Sequence, residues 1–184
     1  FKDVVTTQQF YKEMSWMADR KISTGWVEAD KSVTYRPLAQ INRDAMAAFL
    51  YRMAGSPEYT PPAQSRFKDV LTTQQFYKEM AWLAETGISS GWTENGARLY
   101  KPLTPINRDA MAAFLYRLAN KPDYVAPPWL PFNDVSASQQ FYKEMAWMYE
   151  SGISSGWRDA YSSLYKPLSP VNRDAMAAFL YRMP

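Results

Sequence analysis

The chain predicts an all-α fold: three tandem helix-loop-helix repeats closing into one pseudo-threefold helical body. Three observations lead there. A unit of about 65 residues occurs three times, since Phe1-Lys2-Asp3-Val4 returns as Phe67-Lys68-Asp69-Val70 and as Phe132-Asn133-Asp134-Val135. Each unit carries two stretches with apolar residues at helical spacing. Proline-dense segments, in which no helix interior can form, separate the units.

The repeats occupy residues 1–54, 67–119 and 132–184, joined by linkers at 55–66 and 120–131. Each linker holds a tyrosine (Tyr59, Tyr124) and a Pro-Pro pair, so each is expected to lie extended against the protein. Within every repeat the landmarks come in one order: Gln-Phe-Tyr-Lys-Glu-Met from Gln9, Gln75 and Gln140, then Gly-Trp, then Tyr-Arg/Lys-Pro, then Asn-Arg-Asp-Ala-Met-Ala-Ala-Phe-Leu-Tyr-Arg. The spacing from Trp26 to Tyr35 differs by one residue from the other copies and gives copy one the longer loop.

In the first helix Phe10, Met14 and Met17 fall at i, i+4 and i+7 and form one apolar stripe. A Ser or Thr at 7, 73 and 138 has the residue type of a cap, with Asp3, Asp69 and Asp134 upstream. Gly87 and Gly152 supply a left-handed stop, whereas copy one has Lys21 there and is expected to end its helix differently. The second helix begins at Asn42, Asn107 and Asn172, good N-cap types, with Asp44, Asp109 and Asp174 in the favourable first turn. Met46, Phe49, Leu50 and Met53 make its core stripe, and Ala45, Ala47 and Ala48 keep the rest thin enough for close packing. One copy buries too little alone, so three are expected to pool their stripes.

Composition narrows the function. The 184 residues include no Cys and no His, which removes thiol nucleophiles, disulfides, the usual zinc sites and the commonest acid–base group. No metal or cofactor is expected, and the chain reads as no enzyme. The net charge of +3 is spread without basic runs, so nucleic acid is not expected as a partner, though an anionic polymer would suit it, and apolar stretches such as residues 110–116 fall far short of the roughly 20 residues of a membrane span, so membrane insertion is not expected. Aromatic residues make up 16%, a surplus that can stack on sugar rings. The chain opens at Phe1 inside its first motif, as a fragment of a longer or processed protein would.

Phe-x-Asp-Val, Gly-Ile-Ser-Ser-Gly-Trp, Tyr-Lys-Pro-Leu and Ile-Asn-Arg-Asp-Ala-Met-Ala-Ala-Phe-Leu-Tyr-Arg resemble the S-layer homology motif, in all three copies. The resemblance implies a pseudo-threefold helical body that binds secondary cell-wall polymers of Gram-positive bacteria in grooves between motifs. The implied protein is secreted, sits on the bacterial wall or surface, and has as partners a wall glycan and the other domains of a larger parent. The family's second helix typically begins Ile-Thr-Arg-Ala-Glu, which places its binding arginine on Arg43, Arg108 and Arg173. Here Thr becomes Asn, Ala becomes Asp and Glu becomes Ala, a divergent form similar to versions on secreted actinobacterial enzymes.

The candidate ligand residues follow. Arg43, Arg108 and Arg173 stand at a helix start, where free N–H groups and a guanidinium fork suit an anion; an internal ion pair is the competing reading. Trp26, Trp92 and Trp157, each after Gly25, Gly91 or Gly156, lie in loops where an indole face can meet a pyranose. Trp16, Trp82 and Trp147 sit opposite the core stripe of the first helix, either in a groove or in inter-repeat packing. Glu13, Glu79 and Glu144 lack the paired cleft carboxylate that glycoside hydrolysis requires. A structural module that docks other proteins or assembles a surface lattice is the alternative function.

Overall fold

The computed structural model of residues 1–184 contains six helices and three two-stranded antiparallel sheets, which corrects the all-α expectation. Repeat 1 consists of α1 (Tyr11–Asp19), β1 (Trp26–Val27), β2 (Val33–Thr34) and α2 (Arg43–Met53). Repeat 2 consists of α3 (Tyr77–Glu85), β3 (Trp92–Glu94), β4 (Ala97–Leu99) and α4 (Arg108–Leu118). Repeat 3 consists of α5 (Tyr142–Glu150), β5 (Trp157–Arg158), β6 (Ser163–Leu164) and α6 (Arg173–Tyr181). The segment expected to be a loop is a hairpin in every copy. Its strands pair Trp26 with Thr34, Trp92 with Leu99 and Trp157 with Leu164. The middle hairpin turns at Asn95-Gly96, both with positive φ, the tight turn whose twist matches paired strands.

Neither expected cap is made. The first helix of each repeat starts after Phe10, Phe76 or Phe141, which sit at φ 62–63° with no side-chain cap, rather than at the upstream Ser or Thr. Lys21 takes the same left-handed turn as Gly87 and Gly152, at φ 56°, so α1 ends as its counterparts do despite the missing glycine. Asn42, Asn107 and Asn172 precede their helices in extended conformation, and their side chains cap nothing.

The exposed amides of α2, α4 and α6 are satisfied by neighbouring repeats instead. Arg43 and Asp44 donate to the carbonyls of Thr104 and Pro102, Arg108 and Asp109 to Ser169 and Pro167, and Arg173 and Asp174 to Ala39 and Pro37. Orphan N–H groups at a helix start must find an acceptor, and here each repeat supplies the next. Just before these helices Ile41 N–H donates to Val171 at 2.9 Å, Ile106 to Ile41 at 3.0 Å and Val171 to Ile106 at 2.9 Å, a closed ring of three bonds.

Helices from successive repeats pack in pairs, α2 on α3 and α4 on α5, and the last helix returns to the first, α6 on α1. In each seam an indole meets a phenol edge-on: Tyr51 with Trp82 at 5.3 Å, Tyr116 with Trp147 and Tyr181 with Trp16 at 5.4 Å. Met14, Met17, Met46 and Leu50 join their counterparts in a single core of 37 residues. The linkers are pinned to it, since Tyr51 and Tyr77 donate to the carbonyls of Pro57 and Pro62, and Tyr116 and Tyr142 to those of Pro122 and Pro127.

Candidate functional site

Three equivalent clefts, of about 300, 440 and 420 Å³, open between the repeats. Their construction starts with the Asp of Phe-x-Asp-Val. Asp3 accepts the N–H groups of Tyr35 and Arg36, Asp69 those of Tyr100 and Lys101, and Asp134 those of Tyr165 and Lys166, at 2.7–2.8 Å. These paired bonds hold Arg36, Lys101 and Lys166 at φ 57–58°, a left-handed backbone that is uncommon for any residue other than glycine. The buried tyrosine before each turns into the core, where burial pushes its phenol well above the ordinary range. Its carbonyl turns outward, toward the guanidinium of another repeat.

Each candidate arginine therefore reaches across a repeat boundary. Arg43 Nε donates to the Tyr100 carbonyl at 2.9 Å, Arg108 to Tyr165 at 2.7 Å and Arg173 to Tyr35 at 2.8 Å. A second nitrogen donates to the hydroxyl of Ser89, Ser154 or Ser23. All three arginines are buried, and desolvation pushes Arg43 and Arg173 down to about 10, still charged at neutral pH. Neither an open anion fork nor an internal carboxylate pair describes them. They are charge-assisted clamps on the neighbouring repeat, with their edges in the cleft wall.

The indole of the Gly-Trp hairpin lies on that guanidinium: Trp26 over Arg173 and Trp92 over Arg43 at 4.1 Å, Trp157 over Arg108 at 4.4 Å. The surface cations Arg36, Lys101 and Lys166 also lie over these rings, at 4.4–5.1 Å, yet the three indoles remain 36, 39 and 46% exposed. Gly25, Gly91 and Gly156 precede them at φ 67–70°, with the following strand and an aromatic ring packed where a Cβ would stand. Trp16, Trp82 and Trp147 line none of the three clefts; they are the seam residues described above, the packing alternative of the two readings.

Every cleft draws on all three repeats. The first combines Ser23–Trp26, Asp44 and Arg52 with Gln75 and Phe76 of repeat 2 and Arg173 of repeat 3. The other two repeat this recipe, one around Trp92, Asp109 and Arg43, the other around Trp157, Asp174 and Arg108, with Leu168 and Leu38 added at their rims. Burial raises the carboxyl pKa of Asp44, Asp109 and Asp174. The left-handed Phe10, Phe76 and Phe141 complete the walls, each facing Arg182, Arg52 or Arg117 at 5.6–5.9 Å. Sequence reasoning missed these residues, although the recurrent Gln-Phe pair was a signal: the spatial partner of Phe76 is an arginine 24 positions earlier in another repeat.

No cluster of His, Cys, Asp or Glu is placed to hold a metal ion, and no helix is long and apolar enough to cross a membrane. Compared with known families, residues 66–112 and 131–177, half of the chain, match the family model described as S-layer homology domain. No curated protein matches the chain.

Proposed function

The chain belongs to the S-layer homology domain family, whose members associate with the cell surface through cell-wall polymers, and from that premise we propose that it holds a secreted protein on the wall of a Gram-positive cell by binding glycan in its three inter-repeat clefts. Residues 1–54 act as a third motif in this reading, supported by the same Asp clamp, Gly-Trp hairpin and cross-repeat arginine in that segment. The observation that carries the proposal is the cleft itself. Hydroxyls, two side-chain amides, one carboxylate and a partly exposed indole line it, a mixture matched to the hydroxyls and C–H faces of a sugar. Arg52, Arg117 and Arg182, one in each cleft and none of them buried, add positive charge beside the single carboxylate, which supports a glycan bearing anionic groups. With a single carboxylate per cleft, the same surfaces serve binding rather than hydrolysis.

The test is sedimentation with purified cell walls before and after acid extraction of their secondary polymers. The full chain should pellet with intact walls and stay in solution with extracted ones; retention on bare peptidoglycan would sink the polymer reading. Replacing Trp26, Trp92 and Trp157 together by Ala should abolish pelleting while the chain still melts cooperatively. Arg108→Ala should instead lower stability by about 2–4 kcal/mol, because it strands the Tyr165 carbonyl and a buried hydroxyl. Self-association without wall binding would favour the lattice-assembly alternative.

A further inference from the structure

The three clefts share an inner wall and differ at the rim. Besides the buried arginine, each indole carries a second cation from its own repeat: Arg36 over Trp26 at 4.6 Å, Lys101 over Trp92 at 5.1 Å and Lys166 over Trp157 at 4.4 Å. A sugar that reaches the indole therefore meets this cation as well. Two residues beyond each tryptophan stands an acid, Glu28, Glu94 or Asp159, and the alternation of extended chain places it on the same side of the hairpin as the indole.

In two copies the acid neutralises the cation. Glu28 accepts from Arg36 at 3.0 Å and Glu94 from Lys101 at 2.5 Å. In repeat 3 the acid is one methylene shorter and bonds within its own turn instead. Asp159 accepts the N–H groups of Tyr161 and Ser162 on one oxygen, at 2.8 and 2.7 Å, and the Ser162 hydroxyl on the other at 3.0 Å, a local pattern that a short carboxylate favours. Lys166 is left exposed and forms no salt bridge. The inner wall does not offset this, because every cleft holds the same three charges: Arg108, Arg182 and Asp174 beside Trp157 match Arg173, Arg52 and Asp44 beside Trp26.

We propose that the clefts divide the glycan between them, with Lys166 as the residue that directs its anionic sugars to the Trp157 cleft. The inference rests on the glycan reading above and refines it. An anionic group arriving at Trp157 finds an ammonium whose N–H donors are free. At Trp26 or Trp92 it finds a cation already paired and a glutamate that repels it. The Trp26 and Trp92 clefts then hold neutral sugars of the same polymer through stacking and hydroxyl contacts. Exposed ion pairs of this kind are weak, so the preference is graded, about fivefold in affinity.

The test titrates the full chain with the polymer that acid extraction releases from walls to which the chain pellets, followed through the indole N–H resonances of Trp26, Trp92 and Trp157. Trp157 should saturate at about one fifth of the polymer concentration that the other two require. Reducing the polymer's carboxylates to alcohols, or removing its phosphates, should bring the three into line, and the treatment that does so names the anion. Lys166→Gln should do the same with untreated polymer, and Glu94→Gln, which frees Lys101, should move Trp92 to the lower concentration. Equal saturation of the three indoles by untreated polymer, or a Trp157 preference that outlasts both treatments, would overturn the division while leaving glycan binding intact. Polymer that moves none of the three indoles would overturn the glycan reading itself, and this inference with it.

Discussion

Gly152 and Gly156 lie four residues apart with the same left-handed backbone, yet a methyl group added to each would meet different surroundings. At Gly152, φ 71°, nothing stands within 4 Å of the new carbon; at Gly156, φ 67°, it would lie 2.5 Å from the Leu164 carbonyl oxygen and 2.6 Å from the Phe132 ring. Gly152→Ala should therefore cost about 1 kcal/mol for backbone strain alone, and Gly156→Ala at least about twice that, because strand and ring must move. Urea denaturation of the two variants checks the ranking; equal costs would mean that the hairpin yields freely. The Gly-Trp pair was visible in the sequence as a recurring feature, but neither its hairpin nor its tightness was, because the atoms that crowd Gly156 come from residues 132 and 164. The partners of the arginines were hidden for the same reason. Arg173 looks like an open anion site until the carbonyl of Tyr35, far away along the chain, is placed on its Nε.

Among elements, the second helices were legible at their starts and the hairpins were not. Asn42, Asn107 and Asn172 marked the correct boundary by residue type, although the acceptors for the first N–H groups are neighbouring carbonyls rather than the Asn side chains. Strands of two or three residues show no alternation to detect, so only Asn95-Gly96 signalled a hairpin, and only in repeat 2. The first-turn aspartates carry a pH signature that belongs to these helices. Burial raises the folded pKa of Asp109 above its ordinary 3.8, so the charged form is disfavoured in the fold. The penalty is fully present above the folded pKa and is lost as pH falls through it. Asp109→Asn keeps an acceptor for the Ala110 N–H and should raise the Tm at neutral pH. That gain over the parent chain should shrink as the solution is acidified towards 3.8. Melting curves across that range decide it, and a gain that grew on acidification would reverse the assigned sign.

At the scale of the whole molecule, the repeat count and register were plain in the sequence, because every landmark recurs in order. How the copies meet was not. The closed ring through Ile41, Ile106 and Val171 joins residues up to 130 positions apart, and nothing local in the chain encodes it. The ring makes the repeats interdependent. A chain cut back to residues 1–131 loses the Val171 acceptor of Ile41, the Arg173 carbonyl that Tyr35 donates to and the helix that covers Trp16. It should show neither near-ultraviolet dichroism nor a cooperative melt, whereas the full chain should unfold in one calorimetric transition whose enthalpy equals the van't Hoff value. A stable two-repeat fragment would contradict this.

The Arg173–Trp26 contact has a mechanical side as well. Had the three repeats been strung end to end, tension on a polymer held by one of them would pass through the others in series, and the weakest would set the limit. In a closed hoop, where each cleft is walled by all three repeats, the same pull divides among joints loaded in parallel.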